Sequence, residues 1–586
     1  MAFSRREFMQ IMGIAIANGL ITKNAFSSTT QNYYDYQKFG NVSLMHFTDC
    51  HAQLLPIYFR EPDVNIGTGE SFAKAPHIVG NDFLKQFNLS PYSLNSHAFT
   101  SLDYVEAARR YGKVGGFAHM ATLIKNLTAE RGAQNVLLMD GGDTWQGSAT
   151  AYWSKGQDMV EACNLLGVDV MTGHWEFTYH EAQIRKNIEK FNGEFVAQNV
   201  KVKDEALFDG AEAFDEETGH TFKPYTIKKV GGKNIAVIGQ SFPYTPIANP
   251  RRFIDNWSFG IREAEMQTLV DEIRQNEDPD AVVLLSHNGM DVDLKMASRV
   301  TGIDAIFGGH THDAIPQPIV VKNSSGQTIV TNAGSNGKFL AVLDMNIKNK
   351  RVVDYKYRLL PIFSNLLVPD ASMSQFIQKS RAPYLDKLNQ TFGYSDRTLY
   401  RRGNFNGTFD QVICDSMTNV LDAQIALSPG FRWGTTVLPG QKITMEHIMD
   451  QTAITYPETY VREMSGNDLK IILEDVCDNL FNNDPYLRQG GDMVRLSGMD
   501  YVCDPTAKQG QRITNMTLDN GKSIEANKSY KVAGWASVSA KSPGQPIWDV
   551  VSTYLKDKKV ISFKKINHPK LKNIANNPGI TNYCNY

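Results

Sequence analysis

Aspartate and histidine recur at five places in the first 320 residues, each time directly after a short apolar run. Val42–Phe47 leads into Thr48-Asp49-Cys50-His51, and Val136–Met139 into Asp140-Gly141-Gly142-Asp143. Val168–Thr172 leads into Gly173-His174-Trp175-Glu176, and Val282–Leu285 into Ser286-His287-Asn288-Gly289. Ile303–Phe307 leads into Gly308-Gly309-His310-Thr311-His312. Carboxylate oxygens and imidazole nitrogens are donors for divalent metals, and metal-assisted hydrolysis is the chemistry such a set would serve. A lone Asp-x-His means little, since histidines are usually surface or satisfied core groups. Five donor-bearing tips in one phase are a different matter. The neighbouring glycines allow the backbone to turn sharply behind each donor.

These tips need a frame. The apolar runs, with Ile235–Ile238, alternate with amphipathic segments such as Phe117–Glu130 and Gly260–Gln275, which predicts an α/β layered domain. Functional groups of such sheets collect at the carboxyl ends of strands, so the five tips are expected to converge on one edge. We place this domain at residues 40–365. A linker of 366–390 follows, with Ala371–Leu388 at helical spacing throughout. Beyond it, Gly, Pro and Asn punctuation marks a second α/β domain over 391–586.

Composition excludes other classes. The chain has 586 residues, 42% hydrophobic and 21% charged, which is globular and long enough for two large domains. Sixty basic against 62 acidic residues leave a formal charge of −2, with no global footprint for nucleic acid or an acidic membrane. Six cysteines make no disulfide-dense scaffold, though Cys477 and Cys503 could pair in an oxidising compartment. Ser4-Arg5-Arg6-Glu7-Phe8 precedes the apolar run Ile11–Leu20, which is too short to span a bilayer. This resembles a twin-arginine export signal over residues 1–30, with cleavage within Ala25–Gln31. A soluble, periplasmic mature protein is the expectation.

The order Asp-x-His, Gly-Gly-Asp, Gly-His-x-Glu, His, Gly-His-x-His resembles the calcineurin-like metallophosphoesterase superfamily, and within it the two-domain 5′-nucleotidase family. That resemblance implies a four-layer α/β/β/α first domain and a 5′-nucleotidase-type second domain. It also implies two divalent ions. Asp49, His51, Asp143 and His312 would hold one; Asp143, His174, His287 and His310 would hold the other. Asp143 would bridge them and hold a hydroxide between the ions.

Nucleotidases of the family carry Gly-Asn-His-Glu-Phe-Asp at the third tip, where the histidine and aspartate form a catalytic dyad. Here Trp175 and Thr178 occupy those positions. Losing general-acid help costs typically ~10²–10⁴ in rate when the leaving group is an alkoxide. A thiol, with a pKa of ~8.5, or a more acidic persulfide would not need that proton. Several stretches are similar to the SoxB thiosulfohydrolase family of bacterial sulfur oxidation: His51-Ala52-Gln53-Leu54-Leu55-Pro56-Ile57-Tyr58-Phe59-Arg60-Glu61-Pro62, His97-Ala98-Phe99-Thr100, Gly112-Lys113-Val114-Gly115-Gly116-Phe117-Ala118-His119 and Gly173–Glu176. Most of them lie in a long insert between His51 and Gly112. Cys50 departs from the family's threonine but leaves both flanking donors intact.

This resemblance implies hydrolysis of a cysteine S-thiosulfonate on the SoxYZ carrier, releasing sulfate, with manganese as the metal and a monomeric enzyme. Arg432 and Asn332 are candidates for binding the substrate anion; Asn332 and Gly334 lie in a turn beside the site, where support of the metal donors and a plain turn are the other readings. Gly490-Gly491-Asp492 and Trp535 are weaker candidates for lining the cleft, and Trp175 for packing against the carrier arm. Arg60, Arg109 and Lys113 read as solvated charge, with sulfonate steering the alternative. Cys50 reads as packing, on the opposite side of an extended segment from its neighbours. Two other functions stay open: a 5′-nucleotidase or 2′,3′-cyclic phosphodiesterase, and a non-catalytic carrier-binding protein on the same fold.

Overall fold

Strands Val42–Phe47, Ala281–Ser286 and Ala305–Gly308 are buried along their whole length. Such continuous apolar runs, rich in branched side chains, are what a sheet covered on both faces demands. The structure, a computed structural model, describes residues 33–539, 541–563 and 565–581; the proposed export signal lies outside the described residues. Two six-stranded sheets build the first domain. In one, Val42–Phe47, Val136–Asp140, Val170–Met171 and Glu194–Phe195 run parallel, and Phe339–Lys348 with Arg351–Pro361 closes an antiparallel edge. In the other, Lys233–Gln240, Ala281–Ser286, Ala305–Gly308 and Gly326–Asn332 run parallel between two antiparallel edge strands.

The sheets pack face to face through Leu44, Met139 and Val170 on one side and Val237, Val283 and Phe307 on the other. Helices Phe117–Arg131 and Gln157–Leu166 cover the outer face of the first sheet with Leu123, Leu127 and Leu166. Helices Glu263–Asn276 and Met290–Arg299 cover the second with Met266, Val270 and Met296. The layers are therefore helix, sheet, sheet, helix, as the resemblance implied.

Ala371–Leu388 is not one helix. It runs Ala371–Arg381, passes through a 3₁₀ turn at Ala382–Tyr384 and resumes as Leu385–Leu388. Pro383 explains the break, because proline supplies no N–H and its ring crowds the preceding turn. In the second domain, Ile425–Ser428 and Ser529–Trp535 are parallel neighbours. Their carboxyl ends deliver Gly430–Trp433 and Trp535–Val538 to the first domain.

The insert folds against the antiparallel edge of the first sheet. Its Phe59, Phe83 and Phe99 share a core with Phe339 and Phe363, and the buried Glu61 carboxylate pairs with Lys338 at 2.7 Å. Arg60 is buried rather than solvated. It pairs with Asp63 at 2.8 Å, stacks over Tyr400 at 4.0 Å and donates its backbone N–H to Thr436. Arg109 and Lys113 are exposed.

Burial, aided by the Lys338 charge, pushes the His97 pKa down to about 4. Burial does the same to His447, also to about 4. Between pH 6.5 and 4 each imidazole is protonated in the unfolded chain but not in the folded one. Stability is therefore full above pH 6.5 and falls as the pH drops towards 4. The urea midpoint should decline across this window, and His97→Gln should flatten the decline. A midpoint unchanged between pH 6.5 and 5 would contradict this burial argument.

Candidate metal centre

All five tips leave the carboxyl ends of parallel strands and meet where the two sheets face the second domain. Asp49, His51, Asp143 and His312 form one group of donors lying within 4.8 Å of one another. Asp143, His174, His287 and His310 form a second group on the same criterion, and all seven side chains are buried. Asp143 belongs to both. Its Oδ2 lies 3.1 Å from His287 Nε2, 3.4 Å from His174 Nδ1 and 3.8 Å from His51 Nε2.

Gly142 and Gly289 turn the backbone beside their donors as expected, with φ of 94° and 98°, but glycines do not make all the turns. Asp49, His51, Asp143, His310 and His312 themselves adopt left-handed backbone, with φ between 45° and 71°. Each such non-glycine residue costs roughly 1–2 kcal/mol, a strain found chiefly at functional sites. Cys50 consequently does not alternate along an extended segment. It packs into the core with Phe47 and Phe117.

Glu176 holds the two metal-facing turns together. Its carboxylate accepts backbone N–H bonds from Asp143 (3.2 Å), Thr144 (2.8 Å), Trp145 (3.0 Å) and His174 (2.9 Å). A glutamine would turn an NH₂ towards those donors. Glu176→Gln should weaken metal affinity by about 10–100-fold, as loss of outer-sphere support typically does. Competition with a chelator measures it, and unchanged affinity would assign Glu176 to folding alone. His287 donates Nδ1–H to the Gly141 carbonyl at 2.6 Å, which leaves Nε2 facing Asp143.

The residues fit a pair of cations. Both ring nitrogens of His174 and the Nε2 atoms of His287 and His310 are buried with no hydrogen-bond partner, and His51 Nε2 stands 3.0 Å from His312 Nε2. Burial alone would lower the His287 pKa, but the Asp143 and Asp49 carboxylates raise it to about 10. Burial opposes charge on Asp143, yet His287 and His174 hold its carboxyl well below the usual range. Burial, with neighbouring imidazoles, keeps His310 and His312 neutral and ready to donate a lone pair.

A cleft of about 250 Å³ opens from the donors towards the second domain. Trp175 forms part of its wall, edge-on to Phe431 and Trp433 at centroid distances of 5.4 and 5.1 Å. Thr178 is buried away from it and bonds Thr455 at 2.6 Å. Arg432 lines the cleft, and its Nη2 donates to the Gly491 carbonyl at 2.8 Å. Its Nε and Nη1 are buried without hydrogen-bond partners, the nearest carboxylate being Asp492 at 3.6 Å.

Gly490, Gly491 and Asp492 also line the cleft. Gly490 must be glycine: φ is +74°, and a Cβ there would stand 1.9 Å from His310 Nε2. Trp535 lies behind the wall, donating to Ser428 and meeting Phe431 edge-on.

Asn332 is not positioned to bind substrate. It is fully buried, donates to the Gly309 carbonyl and accepts from Gly334 N–H, so it supports the His310 turn. Sequence reasoning missed Arg402, a buried side chain that donates to the Thr311 carbonyl between His310 and His312. Nothing local marks it, because its partners lie about 90 residues away.

The two-sheet domain with its donors at the strand ends, joined to a second domain that completes the cleft, defines a metallophosphoesterase-type hydrolase. Residues 387–547 match the family model for the 5′-nucleotidase C-terminal domain. The solved structure of the Thermus thermophilus sulfate thiohydrolase SoxB is similar at 32% identity and a TM-score of 0.85, over 92% of this chain and 98% of that one. Bovine 5′-nucleotidase is 26% identical over 74% of this chain and 79% of its own length. The trifunctional nucleotide phosphoesterase YfkN of Bacillus subtilis is also 26% identical, over 71% of this chain but only 30% of that longer protein. The chain belongs to the 5′-nucleotidase family, in its SoxB branch.

Proposed function

We propose that the protein is a periplasmic thiosulfohydrolase acting on a cysteine S-thiosulfonate of the SoxYZ carrier. Water adds to the terminal sulfone sulfur and the sulfur–sulfur bond breaks. Sulfate leaves with two protons released to solvent, and the carrier cysteine keeps the electron pair as a persulfide. The observation that carries this reading is the state of the two dyad positions. Trp175 is an apolar part of the wall, and Thr178 is buried and bonded elsewhere. Among the described cleft residues outside the donor set, Tyr456 and Asp492 are the side chains able to give up a proton. Tyr456 donates to the Ala248 carbonyl, and Asp492 is held by Arg495 at 3.0 Å. A persulfide can leave without a proton donor, whereas a nucleoside alkoxide cannot leave readily.

When bound, two divalent ions, proposed to be manganese, supply the positive charge that activates water and neutralises an anionic substrate. The chain supplies the rest. Asp49, Asp143 and the five histidines hold the ions. Arg432, whose Nε and Nη1 have no hydrogen-bond partner, would donate to the sulfonate. Trp175, Phe431 and Trp433 exclude bulk water, which strengthens each of these charge interactions.

The test incubates the manganese-loaded protein with thiosulfonated carrier and, separately, with AMP, following sulfate and phosphate. Sulfate from the carrier with little phosphate from AMP is expected. Phosphate without sulfate would make the protein a divergent nucleotidase. Neither product, from protein that retains two metals per chain, would favour a non-catalytic carrier-binding role.

A further inference from the structure

The second domain contains a pair of sulfur atoms with no role in the centre. Cys477, on helix Gly466–Phe481, and Cys503, ending strand Met499–Cys503, are fully buried, and their Sγ atoms stand 3.7 Å apart. Other bonds hold the two backbones in place. Cys503 pairs with Ile513 across the sheet. Glu474, one helical turn before Cys477, accepts the backbone N–H bonds of Ile513 at 2.7 Å and of Gly510 at 2.7 Å. Arg512 adds an ion pair to Asp478 at 2.5 Å. The sulfurs therefore meet because the frame brings them together, and side-chain rotation over about 1.6 Å would reach the ~2.05 Å of a disulfide.

The stretch between them supplies one of the segments of the second domain that lie on the metal centre. It carries Arg488, paired with Asp291 at 2.6 Å, and Gly490, seated against His310. It also carries the Gly491 carbonyl that receives Arg432, and Asp492.

We propose that Cys477 and Cys503 form a disulfide in the working enzyme, closing a covalent loop around the cleft wall that rests on His310. The bond forms by exchange with the disulfide of a thiol–disulfide oxidoreductase or of oxidised glutathione. Two thiols lose two protons and two electrons, and the oxidant's disulfide becomes two thiols. The timing rests on the export reading, since the cytosol keeps thiols reduced. Constraining a loop of roughly 25 residues should raise the melting temperature of the 586-residue chain by roughly 3 °C over the reduced protein.

The full chain is prepared in two ways: exported to the periplasm of a bacterial host, or retained in the cytoplasm, unfolded in urea and refolded with oxidised glutathione so that the buried thiols are reached. Each sample is denatured with an alkylating agent and digested with trypsin without reductant. Cleavage after Lys470, Arg488, Arg495 and Lys508 releases one peptide with each cysteine. The expected product is the linked pair, two hydrogens lighter than the two free peptides, in the exported chain and in the glutathione-treated one. Linkage with glutathione but not after export would show that the two sulfurs can bond but stay reduced in the exported enzyme, and would overturn the proposal. Both peptides alkylated in both samples would overturn the proposal. As a second readout, a Cys477→Ala/Cys503→Ala variant should melt with the reduced protein, below the oxidised one. Melting together with the oxidised protein would deny the bond any bracing role.

Discussion

Asp143→Asn should strip both donor groups of metal and lower turnover on the carrier substrate by on the order of 10³-fold or more. Asp143 is the one side chain shared by the two groups. Its Oδ2 faces His174 and His287 while its Oδ1 accepts the Trp175 backbone N–H at 2.7 Å. Asparagine keeps the shape but presents only one oxygen. It also removes one of the two negative charges that offset the cations. The partly positive NH₂ would then face either an imidazole or a metal. Metal content should fall from two ions per chain to less than one, measured by elemental analysis after gel filtration. Added manganese should raise the melting temperature of the wild type but not of the variant, because stabilisation by a ligand follows its affinity for the folded state. Two ions per chain in a well-folded Asp143→Asn protein would remove Asp143 from the bridging position.

Much of this centre was legible because its donors follow buried strands. Burial on both faces leaves an unbroken apolar run, and the first polar residues after it must lie at the sheet edge. That logic located the five tips, and the family resemblance picked out Asp49, His51, Asp143, His174, His287, His310 and His312 among their residues. It failed wherever a role depends on a partner distant in sequence. Arg60 read as solvated because the sequence does not place Tyr400 and Thr436 beside it. Arg402 carried no signal at all. For Asn332 the sequence leaves substrate binding and support of the donors both open, and its amide is consumed by Gly309 and Gly334, which is the supporting role. Gly142 and Gly289 turn the chain as their type suggests, yet five of the donors carry left-handed backbone themselves. That strain is a tertiary property, sustained by bonds such as His310 N–H to Asp49 Oδ2 at 3.0 Å and Asn336 N–H to the Asp49 carbonyl at 2.8 Å.

Arg432→Met should reduce kcat/KM for the thiosulfonated carrier by about 10²–10³-fold, the usual effect of losing one preorganised donor to a developing anion. Both proteins should retain two metals, which separates this loss from that of Asp143→Asn. The Arg432 Nη2 is committed to Gly491, and Asp492 lies at 3.6 Å from Nε. Nε and Nη1 remain buried without a partner in the wall of the cleft. A buried N–H without an acceptor is costly, so its persistence is explained if an anionic substrate supplies the acceptor. A sulfonate offers three oxygens, and charge-assisted bonds to it strengthen as Trp175, Phe431 and Trp433 exclude water. Lysine should restore little, because a flexible point charge cannot reproduce the planar fork. Methionine fills much the same volume, so the wall should survive the change. A kcat/KM within twofold of wild type would mean that Arg432 only braces the Gly490–Asp492 segment, and the sulfonate would then have to be held by the metal centre alone.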